Sequence, residues 1–291
     1  MMKDEAVLTL GATSLIGGAL RALPRRPALV CVSRNPPAPP SPSDIRWIRS
    51  DLTDRHWGEG LSDLQMTKAL ALAPIWTVAP VVDQLADLGV QRLVSFSSTS
   101  RFTKTSSPDP AEREVAERLA RSEALLMERC ERRGVAWTIL RPTLIYLEGR
   151  DQNVTRLARL IRRLGVLPLA GDGSGLRQPV HAEDLATVAM NALATPGSAG
   201  RAYDLPGGET LTYRAMVVRI FEGLGRRPRI LALPPGVWRL GFIVARPFLP
   251  GSSAQMGARM EADLTFDGRA AEADLSWRAR PFRPRFPDAG A

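Results

Sequence analysis

The first half of the chain alternates short apolar runs with amphipathic stretches. The apolar runs have the length of strands, and the amphipathic stretches between them have the spacing of helices. The predicted strands are Val7–Leu10, Ala28–Ser33, Ile45–Arg49, Ala69–Ala73, Arg92–Phe96 and Ala136–Arg141. This alternation is typical of a parallel sheet whose strands are joined by crossover helices. The pattern therefore predicts an α/β fold with a doubly wound parallel sheet.

Helix boundaries can be read from residues that favour helix ends. Asp109 suits the N-cap of a helix over Pro110–Arg133, and Gly134 suits its carboxyl end. A second helix is predicted over Val78–Leu88. The proline-rich segment 35–42 cannot be helical and is expected to be a surface loop.

The chain has 291 residues, enough for one large domain with a smaller lobe. The alternating pattern loosens after about residue 164, where turn-rich sequence begins. We therefore expect a nucleotide-binding domain over 1–164 and a smaller substrate lobe over 165–291. Part of 176–205 is expected to pack back on the first domain, because residues 180–186 begin another helix.

A glycine-containing turn follows the first predicted strand. Gly11 permits a tight turn, small residues let the backbone approach a phosphate, and Gly17 lets the next helix sit close to the strand. Glycines also end strands for purely structural reasons. The preceding strand, the amphipathic segment that follows and a second strand at the right distance favour a Rossmann-type dinucleotide site.

Charge and metal-ligand chemistry narrow the possible functions. The formal net charge is +9, which fits nucleic acid, an anionic membrane or a phosphate-rich substrate. Nucleic acid is not expected, because no DNA- or RNA-binding motif accompanies the charge. Cys31 and Cys130 read as buried apolar groups, and His56 and His181 are the two histidines. Their spacing predicts no metal site.

No apolar run is long enough to predict a membrane-spanning helix, and the amino terminus lacks the apolar core of a signal peptide. A cytoplasmic location is the expectation. Segment 235–249 is too interrupted to span a bilayer. Its aromatic residues and flanking arginines suit interfacial contact or a lipid-linked substrate, and the alternative is a buried helix of the lobe.

Five motifs together resemble those of a known family. They are residues 11–17 (GATSLIG), 50–54 (SDLTD), 94–100 (VSFSSTS), 140–143 (LRPT) and 177–185 (RQPVHAEDL). In this order they resemble an extended or atypical short-chain dehydrogenase/reductase of the NAD(P)-dependent epimerase/dehydratase kind. The resemblance implies a Rossmann fold, a nicotinamide cofactor, a nucleotide sugar or similar polyhydroxylated substrate, and a homodimer.

The resemblance also implies which residues contact the cofactor. Those that would line the pyrophosphate are Gly11, Thr13, Leu15, Ile16 and Gly17, with Ser14 in the place of the family's middle glycine. The adenine would be bordered by Asp51 and Leu52. The ribose would be bordered by Leu72, Ala73 and Pro74, and the nicotinamide by Pro142, Thr143 and Leu144.

The end of the second predicted strand bears on the choice of cofactor. An acidic residue there would bind the ribose hydroxyls of NAD, whereas an arginine accommodates the 2′-phosphate of NADP. This chain has Ser33 and Arg34 there, with no carboxylate until Asp44. NADP(H) is therefore favoured over NAD(H). The alternative is that Arg34 stacks on the adenine or faces solvent.

The catalytic residues depart from the family's pattern. Thr99 stands where the resemblance places a catalytic hydroxyl. The family's Tyr-x-x-x-Lys pair is absent from Pro110–Arg133, and Val115 and Leu119 stand in its place. Both are apolar, so this face of the helix is predicted to pack and cannot titrate.

Two other residues are candidates for the missing acid. Lys104 follows Thr99 in a loop expected near the nicotinamide, and Tyr146 follows the sixth predicted strand. A solvated loop lysine and a packed aromatic ring are the alternatives. Two hypotheses result: an oxidoreductase or epimerase that uses Thr99 with Lys104 or Tyr146, and a non-catalytic dinucleotide-binding protein that senses redox state or supports an assembly.

Overall fold

The structure is a computed structural model that describes residues 6–38, 42–61, 63–234, 236–237 and 260–286. Segment 235–249, for which the sequence suggests interfacial contact, lies outside the described residues except for 236–237. Two compact units make up the chain. The first comprises Met1–Pro142, Ala182–Leu205 and Asp267–Arg278. The second comprises Thr143–His181, Pro206–Phe266 and Ala279–Ala291.

The first unit contains a seven-stranded parallel sheet in the order β11-β6-β5-β4-β1-β2-β3. Its strands are β1 (Val7–Leu10), β2 (Leu29–Ser33), β3 (Ile45–Arg49), β4 (Lys68–Ala71), β5 (Arg92–Phe96), β6 (Ala136–Pro142) and β11 (Arg201–Leu205). The doubly wound Rossmann-type sheet predicted from the alternating pattern is confirmed.

The helices of the first unit follow the strands in the sequence. They are α1 (Leu15–Ala22), α2 (Ile75–Val78), α3 (Val82–Asp87), α4 (Ser100–Thr103), α5 (Pro110–Arg133), α7 (Ala182–Ala194) and α9 (Arg269–Leu275). Short 3₁₀ turns cover Glu59–Leu61, Ala79–Val81 and Pro196–Ser198. Apolar side chains of β1, β2, β4 and β5 form one core with those of α2, α3 and α5.

The second unit has a separate core and three small sheets. Its strands are β7 (Ile145–Tyr146), β8 (Leu167–Ala170), β9 (Leu176–Arg177), β10 (Val180–His181), β12 (Leu211–Thr212) and β13 (Ile230–Leu233), and its helices are α6 (Val154–Leu164) and α8 (Tyr213–Gly223). The pairs are β7 with β10, β9 with β12 and β8 with β13. Apolar residues of α6, α8 and β8 dominate this core.

Some predicted boundaries were wrong, each for a physical reason. The helix predicted over Val78–Leu88 starts earlier, at Ile75, and is interrupted by a 3₁₀ turn that contains Pro80, since proline cannot donate the helical hydrogen bond. The strand predicted to reach Ala73 ends at Ala71, because the N–H groups of Leu72 and Ala73 both turn to the carbonyl oxygen of Leu10.

The division of the chain also differs from the predicted boundary after residue 164. The chain leaves the first unit at Pro142 and re-enters it for Ala182–Leu205. The re-entry has a structural cause: β11 pairs in parallel with β6, from Arg201↔Thr138 to Leu205↔Pro142, and so completes the large sheet.

Candidate functional site

The connections of the large sheet reverse direction between β1 and β4. β2 and β3 lie on one side of β1, and β4, β5, β6 and β11 follow on the other. Such a switch point leaves a crevice beyond the carboxyl ends of the two central strands, where doubly wound proteins bind ligands. Here the Leu10 carbonyl accepts hydrogen bonds from the N–H groups of Leu72 (2.8 Å) and Ala73 (3.0 Å), which hold the ends of β1 and β4 together.

The two key glycines of the turn cannot be replaced without displacing backbone. Gly11 has φ +80°, and a Cβ there would lie 2.5 Å from the Ala73 nitrogen. A Cβ on Gly17 would lie 2.4 Å from the Ala12 carbonyl oxygen. The first contact brings the ends of β1 and β4 together, and the second seats α1 against the turn. A side chain at either position would fill the space on which the turn depends.

The amino end of α1 provides free hydrogen-bond donors. Ser14 is the N-cap, and its hydroxyl accepts from the Gly17 N–H at 3.1 Å. The N–H groups of Leu15 and Ile16 have no acceptor within the part of the chain that the structure describes. These two donors and the positive end of the helix dipole suit an anion such as a pyrophosphate. Thr13 is exposed beside them.

Polar groups at the end of β2 lie next to the glycine turn. The hydroxyl oxygens of Ser33 and Thr13 are 3.3 Å apart, and the Ser33 hydroxyl also accepts from the Asn35 N–H at 3.2 Å. Arg34 follows β2 with its side chain exposed. The Thr53 N–H and hydroxyl donate to the Asp51 carboxylate and lower the pKa of Asp51, and the charge of Arg34 adds to this effect.

These features fit a dinucleotide at the carboxyl edge of the first unit. The glycine turn, Ser33, Arg34 and Asp51 surround the ends of β1 and β2, while Leu72 and Ala73 follow β4. Leu52 is partly buried against the core, Pro74 is exposed at the start of α2, and Pro142 is buried at the end of β6. The structure thus places the sequence-predicted residues of this unit at ends of parallel strands.

Thr99 is buried near the end of β5. Its hydroxyl donates to the Pro142 carbonyl oxygen at 3.1 Å, and its N–H donates to the same oxygen at 3.2 Å. The hydroxyl oxygen still has a lone pair with which to accept a hydrogen bond. Lys104 caps the carboxyl end of the short helix α4, and its side chain is half-buried.

The long helix α5 carries no tyrosine and no lysine. Val115 is 36% exposed, whereas Leu119 is 4% exposed and belongs to the core. Neither side chain can exchange a proton. At these two positions α5 therefore offers packing and contact only.

A buried carboxylate on α5 was missed by the sequence reasoning. Glu123 is fully buried and accepts hydrogen bonds from Ser97 (2.5 Å), from Arg101 and from Arg141 (2.7 Å at the terminal nitrogen). Both guanidinium groups also lie 5.3 Å from the Phe102 ring centroid. This cluster ties α4 and β6 to α5, and so fixes the segment that carries Thr99 and Lys104.

Two features of the sequence could have predicted this cluster. Arg141 lies within the quoted LRPT motif, and Glu123 lies four residues after Leu119, one turn along the same helix. Asp204 completes the charge balance, with a carboxylate oxygen 3.7 Å from Arg141. Burial raises the pKa of Asp204, because the partial pairing with Arg141 does not offset desolvation.

The other three sequence-predicted residues belong to the second unit. The Thr143 hydroxyl donates to the Gln178 carbonyl, and Leu144 packs against the second core. Tyr146 is 1% exposed, and its ring makes edge contacts with His181 and Phe282, with both centroid distances 4.9 Å. This packing favours the structural alternative for Tyr146, and its catalytic role stays a prediction.

Both cysteines are buried thiols. Desolvation raises the pKa of Cys31 to about 11 and that of Cys130 to about 12. Among the described residues no group of three His, Cys, Asp or Glu side chains could hold a metal ion. No helix among the described residues has the length and apolar character needed to cross a bilayer.

Comparisons with known proteins agree with this geometry. Residues 75–205 match the model of the NAD dependent epimerase/dehydratase family. The chain is 27% identical over 198 residues to uncharacterized protein y4nG of Sinorhizobium fredii, covering 64% of this chain and 49% of that protein. It is 33% identical over 99 residues to subunit 9 of the NADH dehydrogenase [ubiquinone] 1 alpha subcomplex of Arabidopsis thaliana, covering 33% of this chain and 24% of that protein. The chain thus spans half or less of these curated relatives.

Solved structures show the same fold. UDP-glucuronic acid 4-epimerase from Bacillus cereus, in complex with UDP-glucuronic acid and NAD, superposes with a TM-score of 0.71. The superposition covers 95% of this chain and 94% of the epimerase chain, at 16% sequence identity. At this identity the likeness establishes the fold.

Proposed function

Since residues 75–205 match the model of the NAD dependent epimerase/dehydratase family, we propose that the first unit binds a nicotinamide dinucleotide at the glycine turn. The observation that carries the proposal is the pair of N–H groups on Leu15 and Ile16, which have no acceptor among the described residues and lie at the positive end of α1. Gly11 and Gly17 support it, because both are required for the close approach that forms this turn. The turn would hold the pyrophosphate.

We propose further that NADP(H) is preferred over NAD(H). Arg34 is exposed at the end of β2, next to Ser33, and no carboxylate stands at the position that would bind the ribose hydroxyls of NAD. The guanidinium would bind the 2′-phosphate, an interaction that only NADP(H) offers. Ser33 and Thr13 would contribute hydroxyls beside it.

Binding measurements on one variant test this preference. Arg34→Glu should weaken NADPH binding by about tenfold or more and leave NADH binding nearly unchanged, since one charge-assisted contact contributes roughly 1.5–3 kcal/mol. Arg25→Glu, the same change at another exposed arginine of the first unit, is the control. Equal affinity of the unaltered protein for both cofactors would refute the preference.

The proposed reaction is oxidation or epimerisation at a hydroxyl-bearing carbon of a nucleotide sugar. The family and the sugar nucleotide bound by the Bacillus cereus epimerase support this substrate class. A bound nicotinamide supplies reversible hydride exchange. Loss of a hydride from the carbon and of a proton from its hydroxyl would leave a ketone. Return of the hydride to the opposite face of that carbon, and of the proton to its oxygen, would give the epimer with no net oxidation.

The chain's own residues would manage the hydroxyl proton. Thr99 would orient the reacting oxygen, its hydroxyl turning from the Pro142 carbonyl to donate a hydrogen bond to that oxygen. Lys104, half-buried after α4, would remove and return the proton at that oxygen. Tyr146 is the second candidate for this proton, although its ring is packed in the second core.

A panel of UDP-sugars tests the enzyme hypothesis. Epimer formation would be followed by NMR in the presence of NADPH or NADP, with hydride exchange followed by deuterium label. Thr99→Ala and Lys104→Met should each lower kcat by about a hundredfold, the range of a positioned acid–base group. Thr99→Ser should retain activity, and NADPH affinity, measured alongside, checks that each variant is folded.

A non-catalytic dinucleotide-binding protein is the second candidate. The absence of tyrosine and lysine from α5 favours it, as does the local similarity to a subunit of NADH dehydrogenase, a protein named as part of an assembly. In this case the protein would bind NADPH firmly, turn over no sugar nucleotide, and retain a partner protein through purification. Turnover that Thr99→Ala removes would exclude it.

A further inference from the structure

Two stretches of the second unit carry many arginines and no carboxylate. Residues 152–171 and 223–260 contain no aspartate, glutamate or lysine. Their arginines are Arg156, Arg159, Arg162, Arg163, Arg226, Arg227, Arg229, Arg239, Arg246 and Arg259. This is a far stronger bias than the overall charge of +9 requires in a chain of 39 cationic and 30 anionic residues.

The fold brings the described parts of these stretches together. Helix α6 buries Val154, Ala158 and Ile161 in the second core and leaves Arg159 and Arg163 exposed. The side chain of Arg226 donates to the carbonyl oxygens of Ile161 and Arg162, at 3.1 Å each. The exposed segment 226–229 is therefore fastened to the carboxyl end of α6.

Apolar side chains are exposed beside these arginines. β8 pairs with β13 in parallel register, with Leu167↔Ile230 and Pro168↔Leu231. Because side chains alternate along a strand, Leu167 and Ile230 face the core, and Leu231 faces outward with 53% of its surface exposed. Leu164 at the end of α6 is 52% exposed, and Val166 just before β8 is 36% exposed.

We define the basic apolar face as Arg159, Arg163, Arg227 and Arg229 together with Leu164, Val166 and Leu231. Three of the six large apolar side chains that are exposed among the described residues lie on this face. None of its four guanidinium groups forms an ion pair within the described ranges, whereas Arg132 pairs with Asp83 and Glu128 elsewhere in the chain.

We propose that the basic apolar face docks on an anionic phospholipid bilayer. Unpaired arginines attract the negatively charged headgroups, and leucine and valine side chains among them enter the boundary between headgroups and acyl chains. A nucleic acid would use the arginines but gain nothing from exposed Leu164 and Leu231. The proposal is independent of the dinucleotide site, since every residue of the face lies in the second unit.

Vesicle co-sedimentation of the full chain tests the proposal. The protein should bind vesicles of phosphatidylcholine that contain about 30% phosphatidylglycerol, bind pure phosphatidylcholine weakly, and lose affinity as salt rises. Arg163→Glu/Arg229→Glu should lower binding by about tenfold or more, at roughly fivefold for each charge near the surface. Arg25→Glu/Arg46→Glu makes the same charge change at exposed sites of the first unit and should bind like the unaltered protein.

A second variant separates a membrane from a polyanion. Leu164→Ser/Leu231→Ser should weaken vesicle binding several-fold and leave heparin binding unchanged. The proposal is overturned if the protein does not bind phosphatidylglycerol vesicles, or if the two arginine double variants lose vesicle binding equally. It is also overturned if Leu164→Ser/Leu231→Ser leaves vesicle binding unchanged. Unchanged circular dichroism and NADPH affinity would show that each variant is folded.

Discussion

At Gly11 and Gly17 the backbone lies closer to its neighbours than any side chain would allow. Each hypothetical Cβ meets main-chain atoms, which cannot move aside as a flexible side chain can. The resulting turn leaves the N–H groups of Leu15 and Ile16 open at the start of α1. At the scale of single residues, the chain thus has the close backbone approach and the open amides on which the proposed pyrophosphate site depends.

Gly17→Ala should therefore destabilise the first unit and lower dinucleotide affinity together. Overpacking against the Ala12 carbonyl is expected to cost about 1–3 kcal/mol of unfolding free energy. Gly197→Ala is the matched control, because nothing lies within 4 Å of a Cβ at that exposed position. Urea denaturation and calorimetric titration with NADPH measure the two effects. A Gly17→Ala variant as stable and as tight-binding as the control would contradict the geometry.

Glu123 is the residue whose loss should be most costly outside the apolar core. Glu123→Gln would leave Arg101 and Arg141 facing a neutral group in a buried site, and removing one partner of a buried ion pair costs roughly 3–5 kcal/mol. Glu117→Gln, which breaks an exposed pair with Arg121 on the same helix, should change stability by less than about 1 kcal/mol. Similar unfolding free energies for the two variants would argue against the cluster.

The buried thiols give a prediction about pH. Because burial raises the pKa of Cys31 to about 11 and of Cys130 to about 12, both remain protonated at pH 8, and only a thiolate attacks a disulfide reagent. A colorimetric thiol assay at pH 8 should detect both cysteines only after denaturant is added. Prompt reaction of the native protein would contradict the placement of these side chains.

At the scale of elements, α5 shows how end signals determine a helix. The Asp109 side chain accepts from the Ala111 N–H at 3.0 Å, and Gly134 ends the helix in the left-handed region. Asp109→Ala should lower the unfolding free energy by about 1 kcal/mol, because one amide loses its acceptor. Glu114→Ala, at an exposed position inside the helix, should have almost no effect in the same denaturation assay.

The elements predictable from sequence were those with strong local signals. The limits of α5 match the prediction residue for residue, as do those of β1, β3 and β5. The carboxyl end of β4 does not, because a tertiary contact decides it: the Leu10 carbonyl accepts hydrogen bonds from the amides of Leu72 and Ala73. Local propensity carries no information about such a contact.

Only part of the candidate site was predictable from the sequence, namely the residues with a strong local signal. The glycine turn, Ser33 and Arg34 follow directly after strands, so their placement at the sheet edge follows from the alternating pattern. The partners of Glu123 come from α4 and β6, far apart in sequence. Glu123 contacts these partners only because of how α5 packs against the sheet, and no local sequence pattern predicts that packing.

At the scale of the whole molecule, the proposed cofactor site and the basic apolar face belong to different units. The first holds the glycine turn and Thr99, and the second holds the basic apolar face. A ligand that binds the native state shifts the unfolding equilibrium by about 2.7 kcal/mol at a concentration of 100 Kd. Saturating NADPH should therefore raise the midpoint of thermal unfolding by several degrees, and sodium sulfate at the same ionic strength, the control, should raise it less.

The central claim is that the open amides of α1 bind a dinucleotide pyrophosphate. A crystal structure of the full chain with NADPH tests it most directly. We predict pyrophosphate oxygens within about 3 Å of the Leu15 and Ile16 nitrogens, and the 2′-phosphate against Arg34. A dinucleotide bound elsewhere on the chain, or crystals that bind none at millimolar NADPH, would contradict the account.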